Sequence, residues 1–212
     1  MPGPTNPVSQ CQKPSGWLGR FVLWRMNISH SRVTDWGLSH ISITDTDTIL
    51  DVGCGGGRTL SKLAERATQG KVYGVDHSEE SVNASRKINA GSIERNRVEV
   101  RFGCVSQLPF EDNRFDLVTA VETHFWWPDL PGDMHEVFRV VKPGGQLLIV
   151  AEVYRGGSSP VARYIEKHPS KFQFKLLTVE EHRALLVNAG FSEVQIFTEP
   201  QKAWISALAK KR

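Results

Sequence analysis

The sequence predicts an α/β fold whose parallel sheet is finished by an antiparallel hairpin. Two observations carry this. Between residues 48 and 152, short apolar runs rich in β-branched residues alternate with stretches of helical spacing, the pattern of parallel strands joined by helical crossovers. After residue 190 two strand-like runs follow one another with only a short turn around Pro200, which leaves no room for a helix and makes them a hairpin. A chain of 212 residues suits a single domain with a core that needs no disulfide or metal staple.

The elements follow in order. Residues 1–15 hold Pro2, Pro4, Pro7 and Pro14 with few apolar side chains, the composition of a disordered tail. From 16 to 40, Trp17, Leu18, Phe21, Val22, Trp24 and Met26 recur at helical spacing, and a second short helix around 31–39 carries Val33, Trp36 and Leu38. This stretch has no strand signature and reads as an N-terminal helical cap on a domain spanning 16–212. Strands are expected at 48–52, 71–75, 97–102, 115–121 and 146–152, with helices at 57–68, 78–90 and 131–141. Lys142-Pro143-Gly144-Gly145 ends the last of these helices and turns the chain. A polar connection over 155–177 leads to a helix opened by Thr178, with Glu181 as its capping-box partner and Gly190 just past its end. Strands at 191–197 and 203–209 complete a set of seven.

Composition narrows the function. The formal charge is +3, and basic residues such as Arg86, Lys87, Arg95, Arg97 and Arg101 are interleaved with Glu94 and Glu99, so no nucleic-acid partner is expected. Cys11, Cys54 and Cys104 are widely spaced without a CxxC pair, which fits a reducing compartment and neither a disulfide framework nor a zinc site. The N-terminus lacks a signal-peptide core and no run has the length of a membrane span, so a cytoplasmic protein is expected, with no bound metal.

The stretch Asp51-Val52-Gly53-Cys54-Gly55-Gly56-Gly57 joins the first strand to a helix. Glycine lets the backbone approach a ligand closely, and the helix beyond offers free N–H groups. A nucleotide-like ligand is therefore expected at the carboxyl end of this strand. The dinucleotide fingerprint G-x-G-x-x-G/A fails in both frames, because Arg58 or Leu60 stands at its last position. Asp-x-Gly-x-Gly-x-Gly instead resembles motif I of the class I S-adenosylmethionine (SAM)-dependent methyltransferases. The resemblance covers about 45–152 closely and the remainder in outline, since five parallel strands and an antiparallel hairpin are how the Rossmann-like sheet of that family ends. It implies SAM as cofactor and S-adenosylhomocysteine as product.

The resemblance also assigns roles. Gly53, Cys54 and Gly55 would let the loop pass under the methionyl part of SAM, with Asp51 accepting from its ammonium or fixing the loop. Asp76, about 20 residues on at the end of the second strand, would chelate the ribose hydroxyls; the residue-level alternative is a helix cap for the stretch from Ser78. His77 would flank the adenine. Gly103-Cys104-Val105 stands where many members carry Gly-Asp-Ala, and a thiol is a weak acceptor, so adenine reading would rest on backbone groups of Cys104 and Val105. Glu122, ending the fourth strand at the place of methyl transfer, would be a further contact to the cofactor. Beside it His124 is the candidate general base, or a packed imidazole under an aromatic lid of Phe125, Trp126 and Trp127. Glu152 and Tyr154 are weaker candidates for substrate contact. The expected activity is in-line methyl transfer to a small-molecule acceptor. A non-catalytic SAM-binding module and a protein or RNA methyltransferase are the alternatives.

Overall fold

The structure, a computed structural model, describes residues 13–168 and 176–212; residues 1–12 of the expected tail lie outside these. Two helices come first, α1 (Gly16–Ser29) and α2 (Ser31–Leu38). The alternating unit follows as β1 (Thr48–Val52), α3 (Arg58–Arg66), β2 (Lys71–Asp76), α4 (Glu79–Ile88), the short α5 (Ala90–Glu94), β3 (Val98–Phe102), β4 (Phe115–Val121), α6 (Leu130–Val140) and β5 (Val141–Ala151). Then come α7 (Pro160–Lys167), α8 (Val179–Asn188), β6 (Ser192–Glu199) and β7 (Trp204–Lys210). The seven strands form one sheet in the order β3-β2-β1-β4-β5-β7-β6. Strands β1 to β5 are parallel, and β7 runs antiparallel to both β5 and β6.

The strands read as continuous apolar runs because each face of the sheet is covered. Neighbouring residues enter opposite cores. Leu147 and Ile149 pack with Met134, Val137 and Leu186 from α6 and α8, while Leu148 and Val150 pack with Val33, Leu38, Leu60 and Leu63 from α2 and α3. Each such fully buried aliphatic side chain contributes about 1.5–3 kcal/mol. Asp116 ties three strands where the sheet begins. It accepts from the Thr48 N–H at 2.9 Å and from Lys142 Nζ at 2.8 and 2.9 Å.

Three details differ from the sequence reading. The Lys142–Gly145 turn is a bulge inside β5, where pairing jumps from Phe115–Val141 to Leu117–Gln146. The polar connection contains α7, started by Ser159 capping the Val161 N–H, with Pro160 in its first turn and Ala162 and Ile165 packed on Leu176. Its single apolar turn is too short to show as periodicity. The third difference divides the expected cap. Helix α2 is bedded on the sheet, its Gly37 so close to Val150 that a Cβ there would stand 2.3 Å from a Val150 methyl. Helix α1 instead contacts α4 and overhangs the carboxyl ends of the strands.

Candidate functional site

A cleft of about 410 Å³ opens at the carboxyl ends of β1, β2 and β4 under α1. That volume lies within the range of small-ligand sites. Its floor is the glycine loop. Gly53 has φ +75 and its N–H donates to the Val75 carbonyl at 2.8 Å, so the loop is fastened to β2. A Cβ on Gly53 would stand 2.1 Å from Thr123 Oγ1. Gly55 has φ +50, yet its missing Cβ faces open space, with no atom nearer than Leu23 Cδ2 at 3.9 Å. The first glycine is thus required by packing as well as conformation, and the second leaves room over the loop for a ligand.

Asp76 joins this loop to β2. Its Oδ2 accepts from the Gly55 N–H and its Oδ1 from the Ser78 N–H, both at 2.9 Å. Ser78 itself caps α4 by accepting from the Ser81 N–H, so Asp76 is not the cap. A carboxylate has about four acceptor positions, so the two backbone amides leave acceptor capacity for a ligand hydroxyl. Burial raises the Asp76 carboxyl, and the Ser78 and Gly55 amides draw it back down. His77 lies beside it, 3.8 Å from Oδ1, on the rim of the cleft. Cys104 and Val105 line the same wall; the Cys104 thiol is exposed and reaches only Ser106 Oγ at 3.6 Å.

Two sequence candidates stand apart from the cleft. Asp51 is buried against β4, accepting from Thr119 Oγ1 at 2.7 Å, and burial pushes its carboxyl up to about 7. That hydrogen bond ties β1 to β4 beneath the loop. His124 is also buried, with its ring turned away from the cleft lining to face His182, Nε2 to Nε2 at 3.1 Å. The tautomers follow from the partners. His182 Nδ1 lies 2.7 Å from the Thr178 carbonyl, which only accepts, so His182 carries its proton there and its Nε2 is an acceptor. His124 must then donate through Nε2, leaving its buried Nδ1 without a partner. Burial pushes both imidazoles below their ordinary value, His124 well below it. The geometry is that of a packed pair joining β4 to α8, and not of a base aimed at substrate. His182 escaped sequence reasoning because it lies in a helix that opens far along the chain; the capping box located the helix but not the direction of its face.

The other end of the cleft is polar in a different way. Glu122 adopts the left-handed conformation at φ +58, sparsely populated by non-glycine residues, and its carboxylate accepts the Glu152 N–H. His30, at the junction of α1 and α2, places Nε2 4.0 Å from Glu152 Oε2. Burial, with Glu152 alongside, raises Glu122 well above the usual carboxylate range. Burial alone raises Glu152 and lowers His30 to about 4. Trp126 and Trp127 complete this wall. Of the aromatic residues of the expected N-terminal cap, Trp36 packs on Trp204 over the sheet, and the side chains of Trp17 and Trp24 lie outside those described.

Residues 50–149 match the model of the methyltransferase domain family. The demethylmenaquinone methyltransferase of Symbiobacterium thermophilum is 38% identical over 120 residues, 56% of this chain and 46% of that protein. An uncharacterised methyltransferase of Bacillus subtilis, YdaC, is 27% identical over 188 residues, covering 88% of this chain and 95% of that one. The chain spans about half the length of the first curated relatives it matches. In fold it superposes on a SAM-dependent methyltransferase from Thermotoga maritima with a TM-score of 0.70 at 23% identity, over 92% of this chain and 97% of the other. No described helix is long and apolar enough to cross a membrane.

Proposed function

We propose that this chain, a class I SAM-dependent methyltransferase by family and fold, transfers the methyl group of SAM to a small-molecule acceptor. One observation carries the reading: the glycine loop and Asp76 are hydrogen-bonded into a single rim, with Gly55 open above it and the Asp76 carboxylate facing the cleft. That rim suits a ligand with a ribose and an amino-acid tail. When bound, SAM supplies an electrophilic methyl group on a sulfonium. The chain's task is then to bind, align and keep dry. Asp76 takes the ribose, the Gly53–Gly55 loop passes under the methionyl part, and the backbone near Cys104 and Val105 meets the adenine. The acceptor lies toward Glu122, Thr123 and Trp126, where aromatic faces favour a nearby cation by about 0.5–2 kcal/mol. Holding two reactants aligned is worth about 7–11 kcal/mol of the barrier. Helix α1 acts as a lid that excludes water, while α2 belongs to the domain core. The cytoplasm suits the widely spaced cysteines.

Calorimetry with S-adenosylhomocysteine tests the reading, with NAD as control. Saturable heat from the former and none from NAD is expected, and hydrogen exchange across α1 should slow on binding. Incorporation of label from methyl-labelled SAM into a small-molecule extract completes it. Saturation by NAD alone, or binding without turnover of any extract, would remove the transferase reading.

A further inference from the structure

The structure brings together three side chains at the acceptor end that the transfer reading gives no chemical step. His30 comes from the α1–α2 junction, Glu122 from just past β4 and Glu152 from just past β5. One donor atom from each lies within 4.8 Å of the others. We propose that His30, Glu122 and Glu152 bind a divalent transition-metal ion at the acceptor end of the cleft, and that the ion holds an oxygen of the methyl acceptor.

Distance is the first argument. Three donors about 2.1 Å from one ion in tetrahedral arrangement stand about 3.4 Å apart. His30 Nε2 and Glu152 Oε2 are 4.0 Å apart and the whole set lies within 4.8 Å, so side-chain rotation closing it by about an ångström gathers the three. The second is charge. Two partly buried carboxylates face the same small volume, and among the described residues no lysine or arginine ion pair reaches either one. Two negative groups side by side away from water are costly, so either a proton stays on one carboxyl or a cation lies between them, and the imidazole beside them supplies a third donor for the cation. The third is donor type. One imidazole with two carboxylates suits zinc, manganese or iron; it is poorer for calcium or magnesium, which take oxygen alone.

The ligands are also held in place by their own elements. The His30 carbonyl accepts from the Thr34 N–H at 3.0 Å and from Thr34 Oγ1 at 2.8 Å, and the His30 N–H donates to the Met26 carbonyl at 3.0 Å. The Glu122 N–H donates to the Val150 carbonyl at 2.9 Å, which fixes the left-handed residue against β5. Three protein ligands leave open positions on an ion, as catalytic sites require. His30 and Glu122 both line the cleft, so those positions face the acceptor. An acceptor hydroxyl bound there would pass its proton to solvent water more readily, leaving an oxygen lone pair for the methyl group. The binding claim stands alone; the ion's use rests on the methyl-transfer reading.

The test begins with the full chain freed of metal by chelation and gel filtration, then titrated by calorimetry with Zn²⁺ and with Mn²⁺. One ion per chain is expected, and His30→Ala, Glu122→Gln and Glu152→Gln should each weaken it at least tenfold. Thermal melting and far-UV circular dichroism of each variant report that it keeps its fold. Should His30→Ala fail to fold, the Co²⁺-loaded wild-type protein answers the same question through a paramagnetically shifted imidazole resonance assigned to His30. Absence of stoichiometric ion, affinity untouched by all three variants, or a shifted resonance from another histidine would overturn the proposal. Metal binding without S-adenosylhomocysteine binding would leave the site standing and remove the transfer reading; the converse would do the opposite.

Discussion

The two ends of the cleft are built by different means. Where β1 and β2 end, ligand-facing geometry is set by backbone: the Gly53 and Gly55 amides are spoken for by Val75 and Asp76, and the loop has little freedom. Where β4 and β5 end, the surface is made of side chains from segments far apart in sequence, His30, Glu122, Trp126 and Glu152. A backbone cradle tolerates almost no change at its glycines, whereas a side-chain wall can be rebuilt one residue at a time. Such a division suits a constant ligand at one end and a variable acceptor at the other.

The largest effect should come from Gly53→Ala. A Cβ there meets Thr123 Oγ1 at 2.1 Å and the backbone stays at φ +75, so overpacking and left-handed strain together should cost on the order of 2–4 kcal/mol. Denaturant unfolding measures it; a variant as stable as wild type would break the contrast between the ends. Next is Asp76→Ala, expected to weaken S-adenosylhomocysteine by about 1.5–3 kcal/mol, tenfold to more than a hundredfold by calorimetry. His124→Gln sharpens the other end. It should cost about 1–3 kcal/mol of stability through the lost bond to His182, and leave S-adenosylhomocysteine affinity unaltered.

That stability gap depends on pH with a definite sign. Burial depresses both imidazoles below about 6.5, so the folded protein binds fewer protons than the unfolded chain in acid. The pair's contribution is complete above pH 6.5 and is lost as pH falls through the depressed values. The difference between wild type and His124→Gln should therefore shrink between pH 7.5 and pH 5. The smallest effect belongs to Cys104→Asp, which supplies the acceptor that a thiol lacks. It should tighten S-adenosylhomocysteine by about 0.5–1.5 kcal/mol; no gain would assign adenine reading to backbone alone.

The same contrast explains what was legible in the sequence. Strand positions and the hairpin followed from runs that any covered sheet must bury, and the loop from glycines whose spacing is local. Asp76 was reachable because it ends the next strand. His124 was not, because periodicity places a residue at a strand end without saying which way its ring turns, and its partner His182 is contributed by α8. Glu122, read beside the cofactor, lies with His30 and Glu152, a grouping made only when α1, β4 and β5 come together. Helix α7 escaped because two buried residues in one turn give no period.

Trp36 of α2 packs on Trp204 of β7, their ring centroids 5.8 Å apart, so one of the first helices rests on the last strand. During synthesis Val33 and Leu38 of α2 can dock on Leu148 and Val150 as soon as β5 is made, but Trp36 must wait for β7. A nascent chain stalled before residue 204 would thus leave Trp36 uncovered on an otherwise seated helix, and indole fluorescence from this pair should report the final step of assembly, not the first.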